Sequence, residues 1–240
     1  MAMLLTGNSP CQENFVMGKN FTPEIGKAGA KAPARAAAVK AVKHVEPAKA
    51  EPGKGRVRDR IFETACDLFY HQGIRCVGVD AIASEAGTNK MSFYRSFSSK
   101  DELVSEYLRE QVRQFWEWWD GVVAEHPDDP RAQVEALFDG YVAKAKKEDS
   151  YGCAFVNAAV EIREPDHPAL AVVHEHKTET RRRFHQLALA MGACCPNELG
   201  DALTLLAEGS AMSRLSYTCQ KGPCINVGNV VRRLIEAYVE

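Results

Sequence analysis

Two short apolar segments joined by a glycine occupy residues 77–97 and restrict what this part of the chain can fold into. The first segment has its apolar residues at Val79, Ile82, Ala83 and Ala86. Gly87 ends it, and the second segment carries Phe93 and Phe97, four residues apart. This spacing predicts two helices, neither long enough to be stable alone. They must pack on each other and on a neighbouring helix, which is the arrangement of a helix-turn-helix.

The sequence on both sides supplies the neighbouring helices. Apolar residues recur every three or four positions from Arg56 to Gln72, which predicts an amphipathic helix ended by Gly73. Another helix begins after Ser99, because Ser99 and Glu102 have the spacing of a capping box. The second short helix would then present the residues after Gly87 outward, where a DNA major groove can receive them.

The remainder of the chain is also helical by pattern, with no convincing alternation typical of strands. Asp129 followed by Pro130 predicts a capped helix start, and later helices are expected over about 151–164, 168–191, 197–219 and 225–238. The predicted fold class is therefore all-α, with about nine helices.

Residues 1–55 differ sharply in composition from the rest of the chain. They are rich in Ala, Lys, Pro and Gly, with eight Lys and Arg against four Asp and Glu. So few large apolar residues cannot offset the entropy of ordering, and we expect a disordered basic tail. Residues 56–100 carry seven basic and five acidic residues, so the acidic excess of the whole chain lies further along. An excess of basic residues in the N-terminal part of the chain is consistent with nucleic-acid binding, and equally with an ordinary charged surface.

Several classes of protein are disfavoured by the sequence. It contains no P-loop, G-x-S-x-G, H-E-x-x-H or dinucleotide fingerprint, so an enzyme is not expected. It has no apolar run of membrane-spanning length and no secretory leader pattern, which indicates a cytoplasmic protein. The eight cysteines include no C-x-x-C pair, and His174 and His176 are two apart, so neither metal nor cofactor is expected.

Residues 56–108 contain a set of motifs in register, namely Ile82-Ala83, Ala86-Gly87, Tyr94…Phe97 and Ser99-Lys100-Asp101-Glu102-Leu103. These motifs resemble the DNA-binding domain of the TetR family of bacterial transcriptional regulators. Gly78 stands where many members have Ser or Thr, and Thr88 where Val is more usual. The resemblance implies a helix-turn-helix domain over 56–103 and a helical effector-binding and dimerisation domain over 104–240. It implies a homodimer that binds palindromic operator DNA, acts as a repressor and is released by a small molecule.

The resemblance also implies which side chains meet DNA. The candidates are Thr88, Asn89, Lys90, Met91, Ser92, Tyr94, Arg95 and Lys100. Asn89 can pair with adenine, Lys90 with guanine and Met91 with a thymine methyl, whereas Tyr94 and Lys100 would meet phosphates. The alternatives are an exposed polar turn, a half-buried core tyrosine at Tyr94 and an ordinary surface lysine at Lys100. Phe93 and Phe97 are expected in the core.

The regulatory half offers candidates of two kinds. Candidates for an effector pocket are Trp119, Phe138, Tyr141, Phe155, Asn157, Glu161 and His174. Within this set, Asn157 and Glu161 are polar residues inside an apolar helix and serve equally well as structural hydrogen-bonding groups. Candidates for a dimer interface are Leu203, Leu206, Ala207, Ser210, Ala211, Arg214, Val230, Leu234 and Tyr238. The alternatives are a monomeric core for these helices, oxidant sensing by Cys194, Cys195 or Cys224, and a protein that acts as an activator.

Overall fold

The computed structural model describes residues 57–147, 149–217 and 222–239. The basic segment 1–55, for which disorder was predicted, lies outside this part of the chain. The helices are α1 (Val57–Gln72), α2 (Val79–Glu85), α3 (Lys90–Ser96), α4 (Lys100–Ala124), α5 (Pro130–Ala145), α6 (Ala154–Glu161), α7 (Pro168–Ala190), α8 (Pro196–Ser216) and α9 (Val227–Tyr238), with a 3-10 turn at Pro223–Asn226. The described residues form helices and no strands, which confirms the all-α prediction.

The helix starts follow the capping chemistry of the sequence. The Ser99 hydroxyl accepts a hydrogen bond from the Glu102 N–H at 3.0 Å, and Asp129 accepts one from the Ala132 N–H at 2.9 Å. The capping box differs in one detail, because the Glu102 carboxylate accepts from the backbone N–H of Ser98 at 2.6 Å rather than from that of Ser99. Each cap gives a partner to a backbone donor that the helix itself leaves unpaired.

A first hydrophobic cluster joins α1, α2, α3 and the start of α4 to α6 and the start of α7. Its fully buried members include Ile61, Ile82, Phe93 and Leu103, and Phe155 of α6 belongs to the same cluster. The boundary expected at residue 103 therefore does not separate two cores. The helix-turn-helix packs on α6 and on the start of α7 through continuous apolar contacts.

A second cluster fills the space among the C-terminal half of α4 and helices α5, α7, α8 and α9. Trp119, Phe138 and Phe184 form its aromatic centre. Helices α7 and α8 approach closely at Gly200, where an added Cβ would lie 2.8 Å from the Cα of His185. Only glycine allows this contact, so Gly200 sets the spacing of the two helices.

Three helices differ from their expected ranges, and the first, α8, ends at Ser216 rather than near residue 219. Helix α6 covers Ala154–Glu161 rather than residues 151–164, because Ile162 is extended and Pro165 prevents a return to helix. Helix α9 is preceded by the 3-10 turn, so its regular α-helical part begins at Val227 instead of near Ile225.

Candidate functional site

The turn between α2 and α3 has the geometry of a helix-turn-helix. Gly87 adopts a φ of +63°, a left-handed conformation that L side chains rarely adopt. The Thr88 N–H donates to the Ala83 carbonyl at 2.8 Å, which closes the turn. At the start of α2, Gly78 is the N-cap and supplies no side-chain hydrogen bond. The turn therefore holds α3 at a fixed angle across α2.

Helix α3 has one buried face and one exposed face. Phe93 and Phe97 are fully buried, as the sequence predicted, and anchor the helix to the domain. Met91 is 65% exposed and Tyr94 is 49% exposed, although both are large side chains. The Tyr94 ring contacts that of Phe93 edge-on at 5.3 Å, so Tyr94 is a surface residue resting on the core.

Four further residues that were predicted to contact DNA lie around the start of α3. Asn89 is the N-cap, and its side-chain oxygen accepts the Ser92 N–H at 3.0 Å. Lys90 pairs with Asp80 of α2 across a solvent-exposed gap of 3.1 Å, and this carboxylate raises the pKa of Lys90. Thr88 and Ser92 are partly exposed. The oxygen of Asn89 is occupied by capping, which leaves its amide N–H groups as the donors open to DNA.

Lys100 is tied to the protein rather than projecting freely. Its ammonium donates to the Ile74 carbonyl at 2.5 Å and lies 6.0 Å from the centre of the Phe69 ring. Burial lowers its pKa, while nearby Asp101 and Glu161 oppose the shift. Arg95, by contrast, is exposed at the end of α3. Lys100 thus clamps the loop between α1 and α2 and keeps two of its three N–H donors for other partners.

A cavity of about 440 Å³ lies among α1, α4, α5, α6, α7 and α8. Phe115, Tyr141 and Phe155 supply aromatic walls, and Cys66 and Tyr70 of α1 also line it. This volume falls within the range of small-molecule sites. The cavity reaches the first helix of the DNA-binding domain, so an occupant would contact both halves of the chain.

Two of the seven predicted pocket residues line this cavity, and the other five predictions are corrected. Tyr141 and Phe155 line it, whereas Trp119 and Phe138 lie in the second apolar cluster. The other corrections concern three polar residues, Asn157, Glu161 and His174. The Asn157 amide donates to the Tyr151 carbonyl, Glu161 accepts from the Arg75 N–H, and His174 is exposed. Each has a structural or solvent-facing position that the apolar spacing of its helix does not reveal.

His176 is one of the cavity residues that the sequence interpretation missed. It is only 5% exposed, and its Nδ1 has no hydrogen-bond partner among the described residues. Burial, helped by nearby Lys177, lowers its pKa to about 3, so the imidazole is neutral at physiological pH. The helical spacing could have predicted that His176 is buried, since Val172, Val173 and Thr180 lie on the same buried face of α7.

The predicted dimer residues divide between the interior and the surface. Leu203, Ala207 and Ser210 are buried within the chain and cannot meet a second subunit, which corrects the prediction for these three. Leu206, Ala211, Arg214, Val230, Leu234 and Tyr238 retain partial or full exposure. Among the large apolar side chains of α8, Leu205 is the most exposed, at 69%, and the sequence analysis did not select it. It lies on the opposite face of the helix from Leu203.

The cysteines considered for redox sensing differ in access. Cys194 and Cys195 are exposed neighbours at the start of α8, and Cys224 is buried in the 3-10 turn. Cys66 faces the cavity, and burial raises the pKa of its thiol to about 12. No group of three or more His, Cys, Asp or Glu among the described residues is placed to hold a metal ion. Within the same residues, no helix is both long and apolar enough to cross a membrane.

This geometry is that of an all-α helix-turn-helix protein with a ligand-sized cavity among its helices. Residues 61–107 match the family of bacterial regulatory proteins, tetR family. The HTH-type transcriptional repressor KstR2 of Rhodococcus jostii (strain RHA1) is 35% identical over 91 residues, which is 38% of this chain and 44% of that protein. KstR2 of Mycolicibacterium smegmatis is 30% identical over 86 residues, or 40% of its length. The match thus spans less than half the length of these relatives.

Solved structures extend the likeness beyond the DNA-binding domain. A TetR-family transcriptional regulator from Streptomyces coelicolor superposes with a TM-score of 0.72 at 27% identity, covering 77% of this chain and 96% of its own. The fold of CifR, a TetR-family regulator solved with 26-bp operator DNA, matches with a TM-score of 0.63 at 20% identity, over 78% of this chain and 99% of that one. Residues 61–107 are therefore similar to the TetR family of bacterial transcriptional regulators, and the fold of the described residues is similar to those of solved TetR-family regulators.

Proposed function

We propose that this protein is a cytoplasmic, ligand-responsive repressor that binds palindromic operator DNA as a homodimer and is released by a small molecule. The observation that carries the proposal is the exposed face of α3. Met91 and Tyr94 project from a helix whose opposite face is locked into the core by Phe93 and Phe97. Large side chains held outward on a fixed short helix suit a major groove.

The proposed DNA contacts follow from these positions. Met91 contacts a thymine methyl, while Lys90 and the Asn89 amide donate to base edges, and Thr88 and Ser92 add polar contacts. Tyr94 and Arg95 meet phosphates, and Lys100 contributes the N–H donors that Ile74 does not use. The Lys90–Asp80 pair is exposed and opens at small cost when a guanine replaces the carboxylate.

Dimerisation is proposed because one recognition helix makes too few contacts for specific binding. Helices α8 and α9 carry exposed apolar side chains, among them Leu205 and Val230. At Gly209 of α8 an added Cβ would meet no other atom within 4 Å, so the backbone there is open to a neighbour. Pairing through these helices would place two α3 helices on successive major grooves of one palindrome.

Release is proposed to act through the cavity. Its lining includes α1 of the DNA-binding domain and α4, the helix that comes directly after it. An occupant that fits one arrangement of these helices better than another changes the spacing of the two recognition helices. DNA affinity then falls by the difference in ligand affinity between the two states.

Selection of host genomic fragments by the purified protein, followed by mobility shift on those recovered, tests the proposal. We expect a double variant Met91→Ala with Arg95→Ala to lose about tenfold or more in affinity for the selected fragment. The matched control, Leu189→Ala with Lys146→Ala, removes an exposed apolar and an exposed basic residue elsewhere. Equal binding by the two double variants would overturn the DNA-contact assignment, and a monomer in light scattering would overturn the dimer.

A further inference from the structure

The cavity has an aromatic interior built around one side chain. The Phe115 ring lies 4.7 Å from the His176 ring, in an edge-on arrangement, and the His176 ring stacks on Phe155 at 3.9 Å. Tyr141 adds a further aromatic surface to the lining. Aromatic side chains arranged in this way favour a flat aromatic ligand, which can stack on the face of one ring and contact the edge of another.

Within this aromatic wall, the His176 imidazole is an unmet hydrogen-bonding group. The residue is buried, and its Nδ1 has no partner among the described residues. A buried polar atom without a partner is unfavourable and rare in folded proteins. Because Nδ1 is itself out of reach of solvent, an occupant would meet the ring through Nε2, where a hydroxyl group can donate or accept and therefore suits either tautomer of the neutral ring.

The cavity also contains a lysine without a described ion-pair partner. The two acidic residues of the lining lie beside other groups, since Glu208 pairs with Lys177 and the Asp67 carboxylate lies beside the His71 imidazole, each at 3.1 Å. Lys144 has no described carboxylate within ion-pair distance. Its ammonium instead lies 3.5 Å from the centre of the Trp118 ring and 5.9 Å from that of Phe115.

The surroundings of Lys144 favour one negative charge on the occupant. Desolvation of its ammonium by the surrounding protein, together with nearby Lys147, lowers its pKa to about 8 and so weakens the charged form, although the residue as a whole keeps exposed surface. A carboxylate beside the ammonium would restore that form through a charge-assisted hydrogen bond. One ammonium balances a monoanion, whereas a phosphate dianion would leave a charge unpaired.

We propose that the effector is a hydroxylated aromatic carboxylate, an inference that rests on the proposed function and names its ligand class. Its rings lie against Phe115 and Phe155, its carboxylate meets the Lys144 ammonium, and its hydroxyl bonds to His176. Phe115 borders both polar groups, so a two-ring frame with its substituents at opposite ends connects them.

Titration calorimetry with 2-naphthoate and its neutral counterpart 2-naphthamide tests the charge. Near pH 7 we expect the carboxylate to bind about tenfold more tightly than the amide. In Lys144→Gln the two probes should bind equally, while Lys146→Gln, which removes an exposed lysine outside the cavity, keeps the preference. Equal binding of both probes by the unmodified protein, or binding of neither up to its solubility limit, overturns the proposal.

A third probe, 6-hydroxy-2-naphthoate, tests the hydroxyl. We expect it to bind several-fold more tightly than 2-naphthoate, with the gain lost in His176→Phe and kept in His174→Phe. His176→Phe retains a ring that can stack on Phe155, and unchanged affinity for 2-naphthoate in that variant shows that the cavity is intact. A hydroxyl gain that survives His176→Phe overturns the role of the imidazole.

Mobility shift with the same probes separates this inference from the proposed function. Binding of 6-hydroxy-2-naphthoate to the free protein without release of DNA leaves the ligand class standing and contradicts effector control. Specific DNA binding without any affinity for the probes contradicts the ligand class alone.

Discussion

The Glu161 carboxylate, at the end of α6, accepts a hydrogen bond of 2.7 Å from the backbone N–H of Arg75, in the loop between α1 and α2. The same carboxylate fills the space beside Gly73, where an added Cβ would lie 3.0 Å from its oxygens. Phe155, six residues earlier on α6, lines the cavity. Helix α6 therefore connects the proposed effector site to the loop that leads into the helix-turn-helix.

Removal of this connection should loosen the loop. In Glu161→Ala the Arg75 N–H loses a charged acceptor, and we expect local opening to become easier by about 1–3 kcal/mol. Hydrogen exchange of the amides over residues 73–77 measures the effect. Glu175→Ala removes an exposed carboxylate from α7 and serves as control. Exchange that is unchanged in Glu161→Ala would show that the loop does not depend on this hydrogen bond.

Asn89 has two separable tasks, because its oxygen caps α3 while its amide N–H groups remain available. Asn89→Ser keeps a capping oxygen and removes the amide, so we expect normal stability but altered base preference at one operator position. Asn89→Ala should in addition lose about 1 kcal/mol of unfolding free energy. Thermal unfolding and fragment selection measure the two effects. The same base preference in Asn89→Ser and the unmodified protein would contradict the contact with adenine.

The sequence predicted the DNA-binding domain better than the regulatory half, for a physical reason. Residues 77–103 contain caps, turn residues and short-range apolar spacing, all of which act locally, and Gly87 and Ser99 have the predicted structural roles. The cavity depends on which faces of six helices converge. Lys144, an exposed side chain near the end of α5, carries no local signal of a cavity position.

Helical spacing also identified burial more reliably than it identified what a buried residue faces. Leu203 and Ala207 were expected at a dimer surface because they form an apolar stripe, and that stripe packs inside the chain. Glu161 is polar within an apolar helix, which suggested a pocket, but its partner lies 86 residues earlier in the chain. Contacts of such sequence separation are not encoded by the periodicity of one element.

Lys100 presents a choice between a structural clamp and a phosphate contact. Its hydrogen bond to the Ile74 carbonyl predicts that Lys100→Ala lowers the unfolding temperature. The N–H donors left over predict that it also weakens binding to specific and random DNA alike, with the salt dependence of log affinity reduced by about one phosphate contact. Binding measured across a range of salt concentrations decides between the roles. An unchanged salt slope with lower stability would assign Lys100 to the clamp alone.

His176 predicts acid sensitivity with a definite sign. Its pKa is lowered from 6.5 to about 3 in the folded chain, so the unfolded chain binds the extra proton first. The stability that comes from keeping the ring neutral is fully present above about pH 6.5 and is lost as the pH falls towards 3. His176→Phe should lose less stability over this range than the unmodified protein. Denaturant unfolding at several pH values measures the difference, and parallel curves would contradict a buried neutral imidazole.

Thiol chemistry should leave DNA binding unchanged. Among the described cysteines, exposed Cys194 and Cys76 should react first with N-ethylmaleimide, followed by exposed Cys195, whose pKa is raised by its neighbour Cys194. Cys224 is buried, and the raised pKa of Cys66 keeps its thiol protonated. Cys194 lies far along the chain from α3, and its backbone N–H donates to the Tyr238 carbonyl at the end of α9, at 2.8 Å. It does not line the cavity.

We therefore expect a Cys194→Ser, Cys195→Ser double variant to bind the selected operator with unchanged affinity before and after hydrogen peroxide. Cys76→Ser, in the loop that Lys100 clamps, is the control for an exposed thiol near the DNA-binding domain. Peroxide-induced loss of DNA binding that disappears in the double variant would support redox control and count against release by a small molecule alone.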